Sequence, residues 1–491
     1  MGSEMCIRDR YSYRFWRNSC QNNESLINDK EPAVKRDNPV FNKLCHDLGM
    51  THLAVERVSF THNTPVYPTP FAIGEAAASV LALQGMMLDV LRGKQQPITV
   101  DCHSAAASTH AVTFQQQNGF NWQYNDPDYP TTDFYLTADN RWIFLHGGYP
   151  RLRDGILDIL DVPNSRHRVA QAVAQWEAHK LEETIAEAGL CAAIARSHKE
   201  WLAHPQGLAV SQEPLIRLTR LTDSAPKNRR YDTPRVLKPL RVLDFTHVIA
   251  GPTATRGLAQ MGADVLHLSS PYRPRILPFA VDTNHGKRNA YLELSTTEGC
   301  ATAAQLVRDG DVFVQSYRPG ALARYGLSDE EMAQINPQII TVNLNCYGHR
   351  GPWKDRPGFE QLAQTVTGMA VAQGGTGQPV LGPTYPNDYL SGYLATLGVL
   401  MALERQRNEG GAWRVDVSLC RTATWLQQLG SIADYQTIAP PDEAAIARCM
   451  VCEEGPFGEL RYFNSALELA QTPMAFAMPA MPLGAHRAEW W

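Results

Sequence analysis

A strand that feeds a helix through a tight turn is the first feature of this sequence that could hold a ligand, and it covers residues 241–268. The unit begins with the apolar run VLDF, turns at IAGP and ends with the apolar run VLHL. Backbone N–H groups at the start of such a helix bind anionic parts of ligands. Neither a G-x-G-x-x-G motif nor a Walker lysine follows, so the turn lacks the usual signature of a dinucleotide or nucleoside triphosphate site.

Two more turns have the same potential, because each follows an apolar run that we interpret as a strand. They read RPG, which begins with Arg318, and CYGHRGP, which contains His349. Ligands of parallel sheets bind at the carboxyl ends of the strands, so we expect these turns to lie around one site. His349 and His247 are candidate bases, although a lone histidine more often has a structural role.

Asp388 lies four residues before Gly392, where a long helical pattern begins. From the residues alone, Asp388 fits a helix N-cap, whose side chain accepts hydrogen bonds from free backbone N–H groups. The same position keeps a carboxylate ionised, because the N-terminus of a helix is electropositive. A cap and a reactive carboxylate are therefore both open for Asp388.

The order of the predicted elements indicates the fold class. Strand-like and helical patterns alternate from about residue 130 onward, which predicts an α/β protein. Strands separated by helices of this length form a parallel sheet with right-handed crossovers. Within the first part of this region, Ser197 and Glu200 have the spacing of a helix capping box. Residues 223–239 are polar, basic and rich in turn formers, and we interpret them as a linker.

A faint internal repeat relates residues 73–108 to residues 391–423. Each copy has a glycine, a helix of small residues, a basic stretch with glycine, and then Val-Asp with a serine beyond. The spacings differ by a few residues, so the repeat is weak evidence when taken alone.

Composition excludes several classes of function. The 491 residues are 44% apolar and 19% charged, which is typical of a soluble protein with two or three domains. The net charge of −5 argues against a nucleic-acid or membrane-surface partner, and we expect neither. No apolar run approaches the roughly 18 residues of a membrane span.

The ten cysteines are scattered, and the close pair Cys449 and Cys452 has no second pair to complete a metal site. We therefore expect no metal and no disulfides, which fits a reducing, cytoplasmic location. The N-terminal stretch lacks the apolar core of a signal peptide and looks unlike the rest of the chain. Residues 1–30 are expected to be disordered or an artefact of sequence assembly.

The motifs of the second half resemble those of CoA-transferase family III, the CaiB/BaiF superfamily that includes formyl-CoA and carnitine CoA-transferases and α-methylacyl-CoA racemases. The motifs are VLD at 242–244, AGP at 250–252, GADV at 262–265, GKR at 286–288, RPG at 318–320, Asn336-Pro337, YGxxGP at 347–352, Asp388 with Gly392, and VDVS at 415–418. Their order and spacing agree over about 190 residues.

The resemblance implies a parallel Rossmann-like sheet with flanking helices, over residues 240–435, plus a smaller α+β domain, over residues 129–222. Residues 31–128 then correspond to a partial first copy of the central helical region, and residues 436–491 to a C-terminal segment that packs back on the main domain. The chain is similar to a tandem or rearranged variant of the family. Because chains of the family interlock in pairs, a homodimer is expected.

The resemblance also assigns chemistry to Asp388, as the carboxylate that moves CoA from an acyl-CoA thioester to a free carboxylic acid. Attack of a carboxylate on the thioester gives a mixed anhydride and free CoA, and CoA then returns to form an aspartyl thioester. A serine would give a stable ester instead. The implied partners are acyl-CoA and a carboxylic acid, with CoA as a substrate and no permanently bound cofactor.

The implied CoA site contains two groups of residues. Lys287, Arg288 and Arg318 are candidates for the CoA phosphates, and solvated surface charge is the alternative. The Val248, Ile249 and Ala250 backbone is expected to approach the nucleotide. Gly348 is expected to shape the acyl pocket, with a plain turn as the alternative.

The sequence departs from the family pattern at one strand end. Ser269 and Ser270 replace an acid and a basic residue, and we expect Arg273 or Arg275 to supply the missing charge.

Two alternatives to CoA transfer remain open. The racemase branch pairs its aspartate with a histidine to move an α-proton, but Phe359 stands at the matching position and cannot carry a proton. Glu360, the next residue, can in principle do so. The other alternative is a pseudoenzyme that binds acyl-CoA without turnover. The matching stretch of the partial first copy, residues 63–74, contains no acid, so it cannot supply a second Asp388.

Overall fold

The computed structural model describes residues 38–491, except residues 54, 63, 123–128 and 228. The prediction for residues 1–30 lies outside this described part. Strands and helices are numbered in chain order below.

A seven-stranded sheet forms the centre of the main domain. In spatial order its strands are β11 (Lys287–Tyr291), β10 (Asp264–Ser269), β9 (Arg241–Phe245), β12 (Val312–Gln315), β13 (Ile340–Asn345), β14 (Trp413–Ser418) and β8 (Arg217–Arg220). All neighbouring strands are parallel except β14 and β8. Strand order reverses at β9, which pairs with both β10 and β12, and this reversal opens a crevice at the carboxyl ends of the strands.

Helices cover both faces of this sheet, because the strands are apolar on both sides. They are α9 (Ala250–Gln260), α10 (Leu277–Thr283), α11 (Thr297–Asp309), α12 (Asp329–Ile335), α13 (Glu360–Thr367), α14 (Met369–Gly374), α15 (Pro386–Glu409) and α16 (Leu419–Gln428). Helix α15 is buried along most of its length and packs against α9 and β14. The predicted α/β class with a parallel Rossmann-like sheet is confirmed.

The smaller domain is built on a three-stranded antiparallel sheet. Its strands are β5 (Thr132–Leu136), β6 (Trp142–His146) and β7 (Ala192–Ile194), and its helices are α4 (Pro150–Leu160), α5 (Arg166–Val173), α6 (Ala178–Glu187), α7 (His198–Ala203) and α8 (Pro205–Ser211). Both hydrogen bonds of the capping box predicted at Ser197 and Glu200 are formed. One boundary was wrong: β8, which the prediction included in this domain, is the antiparallel edge strand of the main sheet.

The first segment of the described chain and the C-terminal segment fold together. The first contains α1 (Pro39–Asp47), β1 (Val58–Thr61), α2 (Ile73–Arg92), β2 (Ile98–Asp101), α3 (Cys102–Ser108), β3 (Gln116–Gln117) and β4 (Phe120–Asn121); the other contains α17 (Glu443–Ile446), β15 (Met450–Gly455), β16 (Gly458–Phe463) and β17 (Leu467–Leu469). Strand β17 pairs with β2, and β16 pairs with β3. The C-terminal segment therefore packs on the first segment, and it also reaches the main sheet where His486 bridges to Ala290.

The internal repeat corresponds to similar local structure in its two copies. In both, a long buried helix leads to a short strand and then to another helix: α2, β2 and α3 in the first copy, α15, β14 and α16 in the second. The two long helices pack against each other. Among the described residues, Ile73–Arg92 is the one helix whose length and composition would allow it to cross a membrane, and 83% of its most apolar window is buried inside the protein, as in a core helix.

Candidate functional site

Asp388 lies at the start of α15, where the helix begins with Pro386 and leaves its first backbone N–H groups free for other partners. The residue is only 7% exposed. Its carboxylate oxygens form no hydrogen bond or ion pair with any residue in the described part of the chain, and Asp388 lines a large cleft. A buried carboxylate without a partner, open to a cleft, is available to react with a bound molecule.

Glu360 is the nearest acidic neighbour of Asp388 and occupies the place that an N-cap side chain would take. Its Oε2 accepts a 2.7 Å hydrogen bond from the Asp388 backbone N–H. Its Oε1 accepts hydrogen bonds from the Asn387 side chain at 2.9 Å and from the Gln364 side chain at 2.8 Å. Glu360 therefore caps α15, and the carboxylate of Asp388 does not have to.

Both carboxyl groups titrate above their usual range. Burial raises the pKa of Glu360 to about 7, although the hydrogen bonds from Gln364 and from the backbone of α15 work in the opposite direction. Burial, and then the charge of Glu360, raise the pKa of Asp388 well above its ordinary value. Two carboxylates in such proximity resist ionising together, so the pair holds a proton more readily than either group does in water.

The spacing from Asp388 to Gly392 is one helical turn, and the structure explains why a glycine ends that turn. A Cβ at Gly392 would come within 2.7 Å of the Ala250 carbonyl oxygen and 2.7 Å of the Thr253 Cβ. The glycine therefore lets α15 lie directly on the first turn of α9. This contact fixes Asp388 relative to the IAGP turn.

The cleft has a volume of about 430 Å³ and follows the carboxyl ends of the parallel strands. Its walls include residues after β11 (292–294), β10 (269–270), β12 (316–318) and β13 (345–346). The smaller domain contributes Arg151, Leu152, Gly189 and Cys191 to the wall. The carboxyl ends of the strands, Asp388 and the smaller domain thus surround one elongated site. Of the three turns predicted to lie around it, IAGP and RPG line the cleft, whereas CYGHRGP contributes only Cys346.

Of the three residues whose backbone is predicted to approach the nucleotide, Val248 and Ala250 line the cleft, and Ile249 is 2% exposed with its side chain in the core. The approach of this backbone to the nucleotide stays a prediction. Val248 has a φ of 71°, a left-handed conformation that costs a β-branched residue about 1–3 kcal/mol. No side chain caps α9, and Ala250 and Gly251 of its first turn line the cleft.

The prediction that Lys287 holds a CoA phosphate is wrong, because its ammonium group is fully buried under the sheet edge. Its Nζ lies 2.9 Å from Asp244 Oδ2, 2.9 Å from the Pro252 carbonyl oxygen and 2.7 Å from Thr255 Oγ1. Those three acceptors use its three protons. Lys287 stabilises the strand–turn–helix unit and does not reach the cleft.

Arg288 is also misassigned. Its guanidinium pairs with both carboxylate oxygens of Asp264 at 2.9 and 2.8 Å, and Nη1 donates to the Glu489 carbonyl oxygen at 2.6 Å. Arg288 is 1% exposed. It fixes the C-terminal segment to the sheet, so it is not available to a ligand.

Arg318 is the predicted cation that does line the cleft. It is exposed and forms no side-chain hydrogen bond or ion pair with the residues that the structure describes. Gly348, by contrast, does not line the cleft: its φ is 96°, and a Cβ there would lie 3.0 Å from Val210 Cγ2 in the smaller domain. Gly348 therefore fits the two domains together, which is the turn alternative and not a pocket wall.

The histidines lie in different environments. His247 lines the cleft, its Nδ1 is 3.3 Å from Ser316 Oγ, and burial lowers its pKa to about 3. His349 lies away from the cleft, with Nε2 3.2 Å from the Val417 carbonyl oxygen. Phe359 lines the cleft as well, and the ring of His146 packs against it with centroids 4.3 Å apart. His146 is buried, and neither ring nitrogen has a hydrogen-bond partner among the described residues.

The first segment touches the helix that carries Asp388. The Tyr385 N–H donates to the Thr109 carbonyl oxygen at 3.1 Å, and the Val112 N–H donates to the Tyr389 hydroxyl at 3.3 Å. These contacts lie on either side of Asp388 along α15. The partial first copy therefore supports the start of this helix, a role that its sequence did not reveal.

In the described ranges, no group of three or more His, Cys, Asp or Glu residues could hold a metal ion. Cys449 is buried just before β15, and Cys452 is exposed within that strand.

Comparison with known proteins finds a family match in the second half of the chain. Residues 237–449 match the model of "CoA-transferase family III". Acetyl-coenzyme A transferase nodX of Hypoxylon pulicicidum is 32% identical over 335 residues, which are 62% of this chain and 56% of that protein. The succinyl-CoA–L-malate CoA-transferase beta subunit of Chloroflexus aurantiacus is 34% identical over 197 residues, which are 37% of this chain and 49% of that protein. The chain thus spans about half the length of these curated relatives.

Among solved structures, the orthorhombic crystal form of Rv3272 from M. tuberculosis is 29% identical and aligns with a TM-score of 0.37. The alignment covers 39% of this chain and 57% of that one. The match to the family over residues 237–449 includes the cleft-lining strand ends and Asp388, and it confirms the resemblance seen in the motifs. Residues 237–449 of this chain therefore form a domain that matches CoA-transferase family III.

Proposed function

We propose that this chain is a CoA-transferase that moves CoA from an acyl-CoA thioester to a free carboxylic acid, with Asp388 as the nucleophile. One observation carries the proposal: the Asp388 carboxylate is buried, has no partner among the described residues and opens into a cleft of about 430 Å³. CoA is a substrate in this account, and no permanently bound cofactor is required. The predicted cytoplasmic location and homodimer stay predictions.

The reaction proceeds through four exchanges at carbonyl carbon. The Asp388 carboxylate attacks the thioester carbonyl, the C–S bond breaks, and a mixed anhydride and CoA thiolate result. The thiolate attacks the Asp388 carbonyl carbon and releases the donor acid, which leaves an aspartyl thioester. The acceptor carboxylate then displaces the thiolate to form a second anhydride. Attack of the thiolate on the acyl carbon of that anhydride gives the new acyl-CoA and regenerates Asp388.

The surroundings of Asp388 suit this cycle. The N-terminus of α15 stabilises the negative charge that returns to Asp388 at each turnover. The raised pKa of the pair does not prevent the reaction, because a less stabilised carboxylate is a stronger nucleophile. The exposed guanidinium of Arg318 is free to pair with a phosphate of CoA at the cleft wall.

The relatives do not fix the acids. Their names include acetyl-CoA, succinyl-CoA with malate, and formyl-CoA with oxalate as substrates of those proteins. We therefore propose a carboxylic acid as the acceptor.

The two alternatives differ from transfer in what they require of the site. Racemisation needs a second proton carrier opposite Asp388, and the position where the sequence indicates that partner holds Phe359. His247 and Glu360 are two further titratable groups close to the site. A pseudoenzyme needs only the cleft. Transfer needs one unpartnered carboxylate, which the described structure provides.

The test is to incubate the full chain in heavy water with acetyl-CoA, propionyl-CoA or succinyl-CoA and a panel of acids, and to separate the CoA esters by mass spectrometry. Transfer predicts new acyl-CoA species without deuterium at the α-carbon, and none with Asp388→Asn. Deuterium uptake without new esters would favour the racemase alternative. Binding of the esters without either change would favour the pseudoenzyme.

A further inference from the structure

A small chamber opens beside the cleft, between the IAGP turn and the loop that follows β10. It has a volume of about 60 Å³. We call it the side chamber; the lining residues that matter here are Tyr149, His247, Arg273, Arg275, Phe279 and Tyr317. Arg273, His247 and Tyr317 also line the cleft, so the two spaces share one wall.

The charges around the side chamber are of one sign. Two arginines line it, and none of the described residues that line it is Asp or Glu. The cleft, by contrast, has Glu293 and Asp388 in its wall. An anion is therefore attracted into the chamber from the cleft.

Arg273 is held in place but lacks an acceptor. Its guanidinium carbon lies 4.5 Å from the centre of the Tyr317 ring, a cation–π contact that orients the plane of the group. Its Nη1 is buried and has no hydrogen-bond partner, and no carboxylate of the described chain pairs with it. Buried N–H groups without acceptors are rare, because leaving them unpaired is costly. A ligand that brings acceptor oxygens would remove this cost.

The side chamber lies toward the reacting carboxylate. Tyr149 lines it and stacks on Phe359, with ring centroids 5.8 Å apart. Phe359, Arg273 and Asp388 all line the cleft, so the chamber and the reacting carboxylate open into the same space. Arg318 lines the cleft and not the chamber, and it remains available for a phosphate of CoA.

We propose that the side chamber is a carboxylate subsite in which Arg273 binds the second carboxylate of a dicarboxylic acid, whose first carboxylate reacts at Asp388. The planar guanidinium matches a carboxylate in a two-point hydrogen-bonded pair. The chamber is large enough for one carboxylate group and too small for a nucleotide. This inference rests on the proposed function for the reacting group, but the binding of the acid does not depend on turnover.

The test compares succinate with butyrate, which has the same number of carbons and lacks the second carboxylate. Isothermal titration calorimetry of the full chain with free CoA present avoids any thioester, so no reaction occurs. Succinate is expected to bind at least about tenfold more tightly than butyrate, as one charge-assisted pair allows. In Arg273→Gln the preference is expected to fall below about twofold, with the affinity for CoA unchanged.

Arg324→Gln is the matched control. Arg324 also lines the cleft and stacks on a tyrosine, with 4.6 Å from its guanidinium carbon to the ring centre of Tyr325, but it does not line the side chamber. This variant is expected to keep the preference for succinate. Since the side chain of Arg273 makes no hydrogen bond within the described chain, Arg273→Gln should fold normally, which circular dichroism and the melting temperature will show.

Three results would overturn the inference. Equal binding of the two acids to the wild type, or no measurable binding of succinate up to about 10 mM, would mean that no such subsite exists. If Arg273→Gln still prefers succinate to butyrate, the subsite lies elsewhere. Loss of CoA affinity in Arg273→Gln with the preference intact would make Arg273 a phosphate ligand. Failure of the transfer assay alone leaves the binding result standing, so the two proposals fail separately.

Discussion

The backbone N–H of Asp388 donates a 2.7 Å hydrogen bond to Oε2 of Glu360, which places two buried carboxyl groups beside the first turn of one helix. Glu360 serves as the cap and Asp388 faces the cleft. Because Glu360 caps the helix, the Asp388 carboxylate has no structural partner in the described chain. Burial raises the pKa of both groups, and the charge of Glu360 raises that of Asp388 further.

Asp388→Asn is expected to stabilise the protein at pH 8. Because the folded pKa of Asp388 lies above the unfolded value of about 3.9, the folded state retains a proton that the unfolded state has released. Stability is therefore lost as pH rises from the unfolded pKa toward the folded pKa. The asparagine removes this loss, so its melting temperature should exceed that of the wild type at pH 8 and the difference should shrink at pH 4.

Calorimetric melts at the two pH values measure this effect. Asp355→Asn, at an exposed aspartate, is the control and should change the melting temperature little at either pH. A lower melting temperature for Asp388→Asn at pH 8 would show that the ionised carboxylate is stabilised in the folded protein, contrary to the account.

Glu360→Gln is expected to lower the turnover number and to move the acid limb of the pH–rate profile to lower pH. Loss of the neighbouring charge lowers the pKa of Asp388, so the nucleophile ionises at lower pH. The Glu360 carboxylate accepts hydrogen bonds on both of its oxygens, whereas a glutamine has only one carbonyl oxygen. The lost hydrogen bond should lower kcat about tenfold. An unchanged acid limb in a folded Glu360→Gln variant would show that the charge of Glu360 does not affect the pKa of Asp388.

Lys287→Met is expected to destabilise the protein by about 3–5 kcal/mol, because Asp244 would remain buried without its cation. Chemical denaturation gives the change in the free energy of unfolding. A loss below about 1 kcal/mol would contradict the structural role assigned to Lys287.

Arg318→Gln is expected to weaken the binding of acyl-CoA without loss of stability, in contrast to Lys287→Met. Since Arg318 is exposed at the cleft wall and has no partner in the described chain, its loss should change stability by less than about 0.5 kcal/mol. The KM for acyl-CoA should rise about tenfold through the lost charge-assisted contact. An unaltered KM would show that Arg318 does not contact a phosphate of CoA.

Gly392→Ala is expected to cost about 1–3 kcal/mol of stability and to reduce transfer, because the new methyl group would press against the Ala250 carbonyl oxygen and Thr253. The methyl group pushes α15 off α9 and shifts Asp388 away from the IAGP turn. Gly377→Ala is the control: the residue is exposed, and a Cβ there would lie 3.6 Å from the Gly374 carbonyl oxygen, an ordinary contact. Equal melting temperatures and activities for the two variants would contradict this role of Gly392.

Features that depend on residues close together in the chain could be predicted from the sequence. The βα periodicity predicted the parallel sheet, and the Ser197–Glu200 spacing predicted a capping box that forms. The one-turn spacing of Asp388 and Gly392 pointed to a helix start, and Asp388 does lie in the first turn of α15.

The errors concern contacts made across the fold. A basic pair at the start of a strand does not reveal that Lys287 points at Asp244, in another strand, or that Arg288 pairs with Asp264. Alternation along the strand sends the two side chains to opposite faces, but the sequence does not say which face is closed. The prediction for Gly348 was wrong for a similar reason, because its neighbour is Val210 of the other domain.

The central claim is that Asp388 becomes covalently acylated, and mass spectrometry of the full chain tests it most directly. The protein is mixed with acetyl-CoA or succinyl-CoA, one half is treated with hydroxylamine, and both halves are digested. The account predicts a hydroxamate on the peptide that contains Asp388, formed only with a thioester present and absent from Asp388→Asn. A chain that transfers CoA while that peptide stays unmodified, or a hydroxamate that persists in Asp388→Asn, would contradict it.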